Sequence, residues 1–187
     1  MPSLRWLTRP ALLAALALCS CDADSTTPED GVYVGISGDL MIAVVADGDL
    51  VTAYACDGTA DSVSVGTWFH GQLDTGVGLL EGEGGVTLHL DHFDTVFSAE
   101  WSDSAGKRHA QVDRVDGDDV GVFWGENDDW TGGWIFADDG EQRGAVLKRN
   151  TGDVAAFQLP MPGPQSITLD DGTVLSVTRM AAPRDLR

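Results

Sequence analysis

Apolar and polar residues alternate along much of this chain with a period of two, not 3.6. Val86, Leu88 and Leu90 interleave with Thr87, His89 and Asp91; Thr95, Phe97, Ala99 and Trp101 interleave with Val96, Ser98 and Glu100. A period of two sends successive side chains to opposite faces of a pleated strand, so each run predicts a half-buried β-strand. The stretch LMIAVVADGDLVTAYA, residues 40–55, holds two apolar β-prone runs around Asp47-Gly48, a strong hairpin signal. Asp116-Gly117, Asp139-Gly140 and Asp171-Gly172 repeat the device.

Strand-like runs fall at 31–37, 40–47, 50–56, 65–73, 76–81, 85–91, 94–102, 107–114, 119–124, 132–138, 142–149, 153–159, 166–170 and 173–179. Their spacing of roughly 8–12 residues, with glycine-rich turns between, predicts an all-β fold. The expected architecture is an antiparallel meander of about 10–14 short strands that closes into a β-barrel or a two-sheet sandwich. One turn of helix is conceivable over residues 61–68, where Asp61 could act as an N-cap. Residues 31–49 and 121–141 both run from Gly-Val-aromatic through a turn to an apolar strand and an Asp-Gly turn, an internal echo that would fit a duplication. The pattern places one folded domain over residues 31–179 and a frayed tail over 180–187.

The amino end follows a different pattern. MPSLRWLTRP carries Arg5 and Arg9 and no acid, ALLAALAL (11–18) is apolar, and the chain turns acidic after Cys21. A positive segment, a short apolar segment and small residues at a cut site make a secretory signal peptide. Eight apolar residues are far too few to span a bilayer core, which needs roughly 20. Leu18-Cys19-Ser20-Cys21 resembles the lipobox of bacterial lipoprotein precursors, with Leu at −3, a small Ser at −1 and Cys at +1. The resemblance covers residues 1–21 only. It implies cleavage after residue 20, a diacylglyceryl thioether on Cys21 and acylation of the new amino terminus with a chain such as palmitate. It also implies anchoring to the extracytoplasmic side of the cell membrane. Two or three acyl chains anchor stably, at about 0.8 kcal/mol per buried CH₂. DADSTTPED, residues 22–30, reads as a flexible tether that reaches roughly 30 Å at about 3.3 Å per residue.

On that reading Cys19 leaves with the signal and Cys21 is blocked by lipid, so Cys56 stands alone as a structural thiol. The alternative is a Cys21–Cys56 disulfide in an unlipidated protein. Neither a CxxC pair nor a His/Cys cluster for zinc is present.

Charge narrows the partners. The chain holds 30 acidic and 11 basic residues; without residues 1–20 it holds 30 and 9, a formal charge of −21. Such a domain repels nucleic acid and anionic headgroups, so no nucleic-acid partner is expected. The acids are scattered over turns, and neither an EF-hand loop nor a glycine-aspartate nonapeptide occurs.

Candidate chemistry is sparse. In HLDHFD (89–94), His89 and Asp91 share one strand face and His92 takes the other, which leaves too few ligands together for a metal. SAGK, Ser104 to Lys107, fits the S-x-x-K pattern but lies between strands and reads as a hairpin tip. GEGG (82–85) reads as a turn. FWGENDDWTGGW, residues 123–134, gathers three of the six tryptophans among carboxylates and an amide. Aromatic faces stack on the apolar face of a sugar and acids accept its hydroxyl protons, so Trp124, Asn127, Asp128, Trp130 and Trp134 form a candidate ligand site. The competing reading makes Trp124 and Trp134 core residues around an acidic loop, with Trp130 capping the core.

The sequence thus supports a lipid-anchored envelope protein with a non-enzymatic ligand- or partner-binding β domain. An envelope glycan or a protein is the expected partner, and no catalytic residue, metal or cofactor is assigned. The alternatives are a structural or assembly lipoprotein without a pocket, and an envelope hydrolase whose carboxylates assemble only on folding.

Overall fold

The computed structural model describes residues 27–186; the expected signal peptide, Cys21 and most of the tether lie outside the described residues. Among the described residues fourteen strands form two antiparallel units. The first comprises β1 (Gly31–Ser37), β2 (Leu40–Asp47), β3 (Leu50–Cys56), β4 (Gly66–Gln72), β5 (Val77–Glu81), β6 (Thr87–Phe93), β7 (Val96–Asp103) and β8 (Gly106–Val115). They pair in the order β4-β3-β2-β1-β8-β7-β6-β5. The sheet curls until β4 and β5 abut, with Leu80 of β5 lying against Gly71 of β4, so the unit is a nearly closed barrel. The second comprises β9 (Gly121–Glu126), β10 (Trp130–Phe136), β11 (Gln142–Lys148), β12 (Asp153–Ala156), β13 (Gln165–Thr168) and β14 (Val174–Arg179). Its order β12-β11-β10-β9-β14-β13 makes a half-barrel.

The two units share one connectivity. In each, a four-strand meander is followed by return strands, and the first strand of the meander pairs with the last of the unit: β1 with β8, and β9 with β14. The echoed segments 31–49 and 121–141 each contain the opening hairpin of their unit, β1–β2 and β9–β10.

Two-residue turns set the register of the tightest hairpins. Ser37 pairs with Leu40, Asp47 with Leu50, Phe93 with Val96 and Asp103 with Gly106. Gly48 sits in the left-handed region (φ 56°), where a side chain is disfavoured and glycine is not. Ser104-Ala105 forms the tip before Lys107, so the S-x-x-K match is a turn between strands.

Three apolar layers fill the molecule. Tyr33, Phe69, Leu88, Leu90, Phe97 and Trp101 pack the barrel interior. Val32, Met41, Val45, Tyr54 and Trp68 on the barrel's outer wall meet Val122, Ile135 and Ala145 of the half-barrel. Phe123, Trp134, Val146, Leu159 and Leu175 fill the half-barrel's other face. Strand β2 is therefore buried on both faces over residues 40–46, which explains its unbroken apolar run.

Three expectations are corrected. Residues 61–68 contain no helix: the Asp57 carboxylate accepts from the Ser64 and Val65 amides (both 2.8 Å) and from the Ser64 hydroxyl, and this holds the 57–65 segment as a loop. The tail is docked through residue 186. Met180 and Leu186 are buried, and the Arg184 amide donates to Thr52 Oγ1 at 2.8 Å, which in turn donates to the Arg184 carbonyl. The last residues of the expected tether also pack. Pro28 is buried, Glu29 pairs with Arg114 and accepts from the Tyr33 hydroxyl, and Asp30 accepts from the Gly48 amide at 2.8 Å.

Candidate functional site

The tryptophan-rich segment becomes the β9–β10 hairpin. Asn127 organises its turn, with Oδ1 accepting from the amides of Asp129 (3.0 Å) and Trp130 (2.8 Å), while Asp128 is exposed. Strand alternation then separates the aromatic rings. Trp124 pairs with Gly133 and faces the layer shared with the barrel, whereas Trp130 and Trp134 face the layer inside the half-barrel. Trp134 is fully buried, and its indole N–H donates to the Phe157 carbonyl at 2.8 Å.

The two half-buried rings carry cations. The Arg184 guanidinium lies 4.0 Å from the Trp124 centroid, and Lys148 Nζ lies 5.4 Å from that of Trp130. Both distances are within cation–π range. Asp171 is held below its ordinary carboxylate value chiefly by hydrogen bonds from Thr173, then by one from Trp130 and by the Lys148 charge. The five residues thus occupy one hairpin, but its two sides serve different layers.

The histidine segment divides as the alternation predicts. His89 and Asp91 face outward on β6, while His92 is buried with its ring centroid 5.0 Å from that of Phe97 and 6.5 Å from that of Tyr33. Among the described residues no group of three or more His, Cys, Asp or Glu side chains is placed to hold a metal ion. Cys56 is a free, buried thiol in the shared layer, and its sulfur accepts from the Gly58 amide at 3.2 Å.

A cleft of about 260 Å³ opens between the two units and draws its walls from five separate parts of the chain. Trp68, buried with its ring tilted 31° against that of Tyr54 at a centroid distance of 4.3 Å, forms part of its lining. Leu147, Val154 and Leu186 supply aliphatic surface; Ser64 and Thr67 supply hydroxyls, and among the described residues Glu83 supplies the one charge of the lining. Three glycines, 66, 84 and 152, keep the walls low. Gly84 and Gly152 take left-handed φ values of 72° and 74°, so their loops turn sharply at the rim. Asp57 fixes the 57–65 loop and so positions Ser64 at the wall, while the docked tail contributes Leu186.

The lining offers shape, apolar contact and a few hydrogen-bonding groups, and the Ser64 hydroxyl is engaged by the Asp57 carboxylate. Among the described residues Asp57 is the one buried carboxylate, and its hydrogen bonds belong to its own loop. Sequence reasoning missed this cleft because it is assembled from β4, the turn after β5, β11, β12 and the tail. Trp68, a large aromatic beside Phe69 on β4, is the single local signal. No family model, curated protein or solved structure matches this chain.

Proposed function

We propose that this protein is a lipid-anchored envelope protein, held outside the membrane by Cys21, whose non-enzymatic β domain binds a small ligand in the cleft lined in part by Trp68. The carrying observation is the cleft itself, the place where an aromatic ring, aliphatic walls and two hydroxyls converge. Among the described residues Glu83 is its only charged lining residue, which disfavours anionic ligands and suits a neutral or cationic molecule with a flat apolar part. The cleft is favoured over the tryptophan hairpin because cations already cover the half-buried rings of Trp124 and Trp130.

The test is a thermal-shift and tryptophan-fluorescence screen of the mature protein against neutral and cationic aromatics and envelope glycans. A binder is expected to raise the melting temperature. Val154→Trp, which fills the cleft from the exposed edge strand β12, abolishes that shift, and Trp130→Ala preserves it. The opposite pattern moves the site to the β9–β10 hairpin. The packed barrel interior favours a second reading, a structural or assembly component, which a screen without any binder would support. Detergent-phase partitioning tests the anchor separately: the wild type enters the detergent phase and Cys21→Ala stays in water.

A further inference from the structure

The half-barrel covers only one side of the barrel. The outer faces of β1 to β4 enter the shared apolar layer, while the wall built by β5, β6 and β7 faces solvent. That wall carries an apolar patch. Leu79 is 64% exposed and Phe93 73%, and Val77 lies beside them at 39%. The register explains the grouping: Val77 and Leu79 are two apart on β5, Val77 pairs with Asp91, and Phe93 follows two residues later on the same face of β6.

Acids rim the patch. Asp74, Asp91 and Asp94 are all exposed, and among the described residues none of them pairs with a Lys, Arg or His. The same wall is charge-compensated further along, where Glu100 binds Lys107 at 2.6 Å and faces His109 at 3.4 Å. Leu79, Val77 and Phe93 share this outer face with His89, which lies opposite Leu79, and Asp91; exposed large apolar side chains grouped on one face mark a contact surface. Uncompensated acids around an apolar centre complement a partner with Lys or Arg around an apolar knob. The same charge argues against two other occupants. A second copy would bring an equally acidic surface, and anionic lipid headgroups would be repelled.

We propose that the outer face of β5–β7, centred on Phe93 and Leu79, is a docking surface for a basic partner protein, separate from the cleft. The test replaces Phe93 with the photo-crosslinker benzoylphenylalanine in the full chain, in the cells that make it, with the exposed Val174 of β14 as the control position. Position 93 is expected to give a discrete protein adduct that is absent at position 174, with the crosslinked peptide of the partner flanked by Lys or Arg. Neutralising the rim (Asp74→Asn, Asp91→Asn and Asp94→Asn together) lowers adduct yield roughly tenfold, as expected when complementary charges are lost. The same charge change elsewhere (Asp128→Asn, Asp138→Asn and Asp139→Asn) leaves it unchanged.

Leu79, replaced in the same way, serves as a second reporter, and Val154→Trp leaves the adduct intact because the cleft lies elsewhere. The proposal is overturned by a position-93 adduct of twice the chain mass, by a lipid adduct, by the absence of an adduct specific to positions 93 and 79, or by an adduct indifferent to the rim charges.

Discussion

Cys56 shows how burial alone sets the chemistry of a side chain. It lies fully buried in the shared layer, and desolvation is the main reason its thiol rises from an ordinary 9.0 to about 11; bonds from the Tyr54 hydroxyl and the Gly58 amide oppose that rise only in part. The neutral thiol is favoured in the folded chain, so the folded state holds this proton more tightly than the unfolded chain does. The associated stability is complete below the ordinary value and is lost as pH rises from 9.0 through about 11. A shift of that size corresponds to about 3 kcal/mol at most. Denaturant melts from about pH 8 to pH 11 are therefore expected to show falling stability, with a shallower fall in Cys56→Ala. The residual slope in the variant belongs partly to Tyr54, whose hydroxyl burial also pushes well above its ordinary range. An equal slope in both proteins would show that Cys56 does not titrate as a buried thiol. In native protein at neutral pH a maleimide is expected to leave Cys56 unlabelled until denaturant is added.

At the scale of elements, the strands were legible because turn chemistry and alternation agree. Asp47-Gly48 and the tip at Ser104 fall where a two-residue hairpin needs them, and the expected limits of β1, β2 and β3 coincide with the observed strands. What could not be read locally is how elements meet. The double burial of β2 depends on a sheet some 80 residues away in sequence, and the 57–65 loop depends on Asp57 reaching Ser64 and Val65 rather than on Asp61 capping a helix. In the sequence the tryptophans of residues 123–134 form one cluster because they are near neighbours along the chain. A three-residue loop and strand alternation send Trp124 to one side and Trp130 to the other. The tail is the clearest miss. Its composition is that of a frayed end, yet Leu186 reaches the shared layer and Arg184 stacks on Trp124. Deleting residues 182–187 removes one buried leucine, two hydrogen bonds to Thr52 and the cation–π contact. The expected loss is about 3 kcal/mol in denaturant melts, with a red shift in tryptophan emission as Trp124 meets water. Leu186→Ala should cost about 2 kcal/mol with a smaller spectral change. Unchanged stability in the truncated chain would show that the tail does not dock.

For the whole molecule two long-range effects oppose each other. The shared layer joins barrel and half-barrel through Met41, Val45 and Tyr54 on one side and Val122, Ile135 and Ala145 on the other, so neither unit keeps its outer face buried without its neighbour. Against this stands charge. The chain holds thirty acids against eleven bases, an excess of negative charge that repels itself, and few of the acids are paired: among the described residues Lys107, Arg108, Arg114, Arg143 and Arg149 make ion pairs. Unfolding spreads these charges apart, so self-repulsion destabilises the compact state, and salt screens it over a Debye length of about 10 Å at 0.1 M and about 3 Å at 1 M. Raising NaCl from about 0.02 M to about 0.5 M should therefore raise the melting temperature by several degrees, the reverse of what a surface held together by ion pairs would do. Apart from the largely covered Arg143, these partners are exposed or half-buried, so the weakening of the pairs takes back only a small part of that gain. Because the shared layer couples the units, the melt should remain a single transition at every salt concentration, with calorimetric and van't Hoff enthalpies equal. Two resolved transitions at low salt would mean that repulsion between the units exceeds what their common layer contributes.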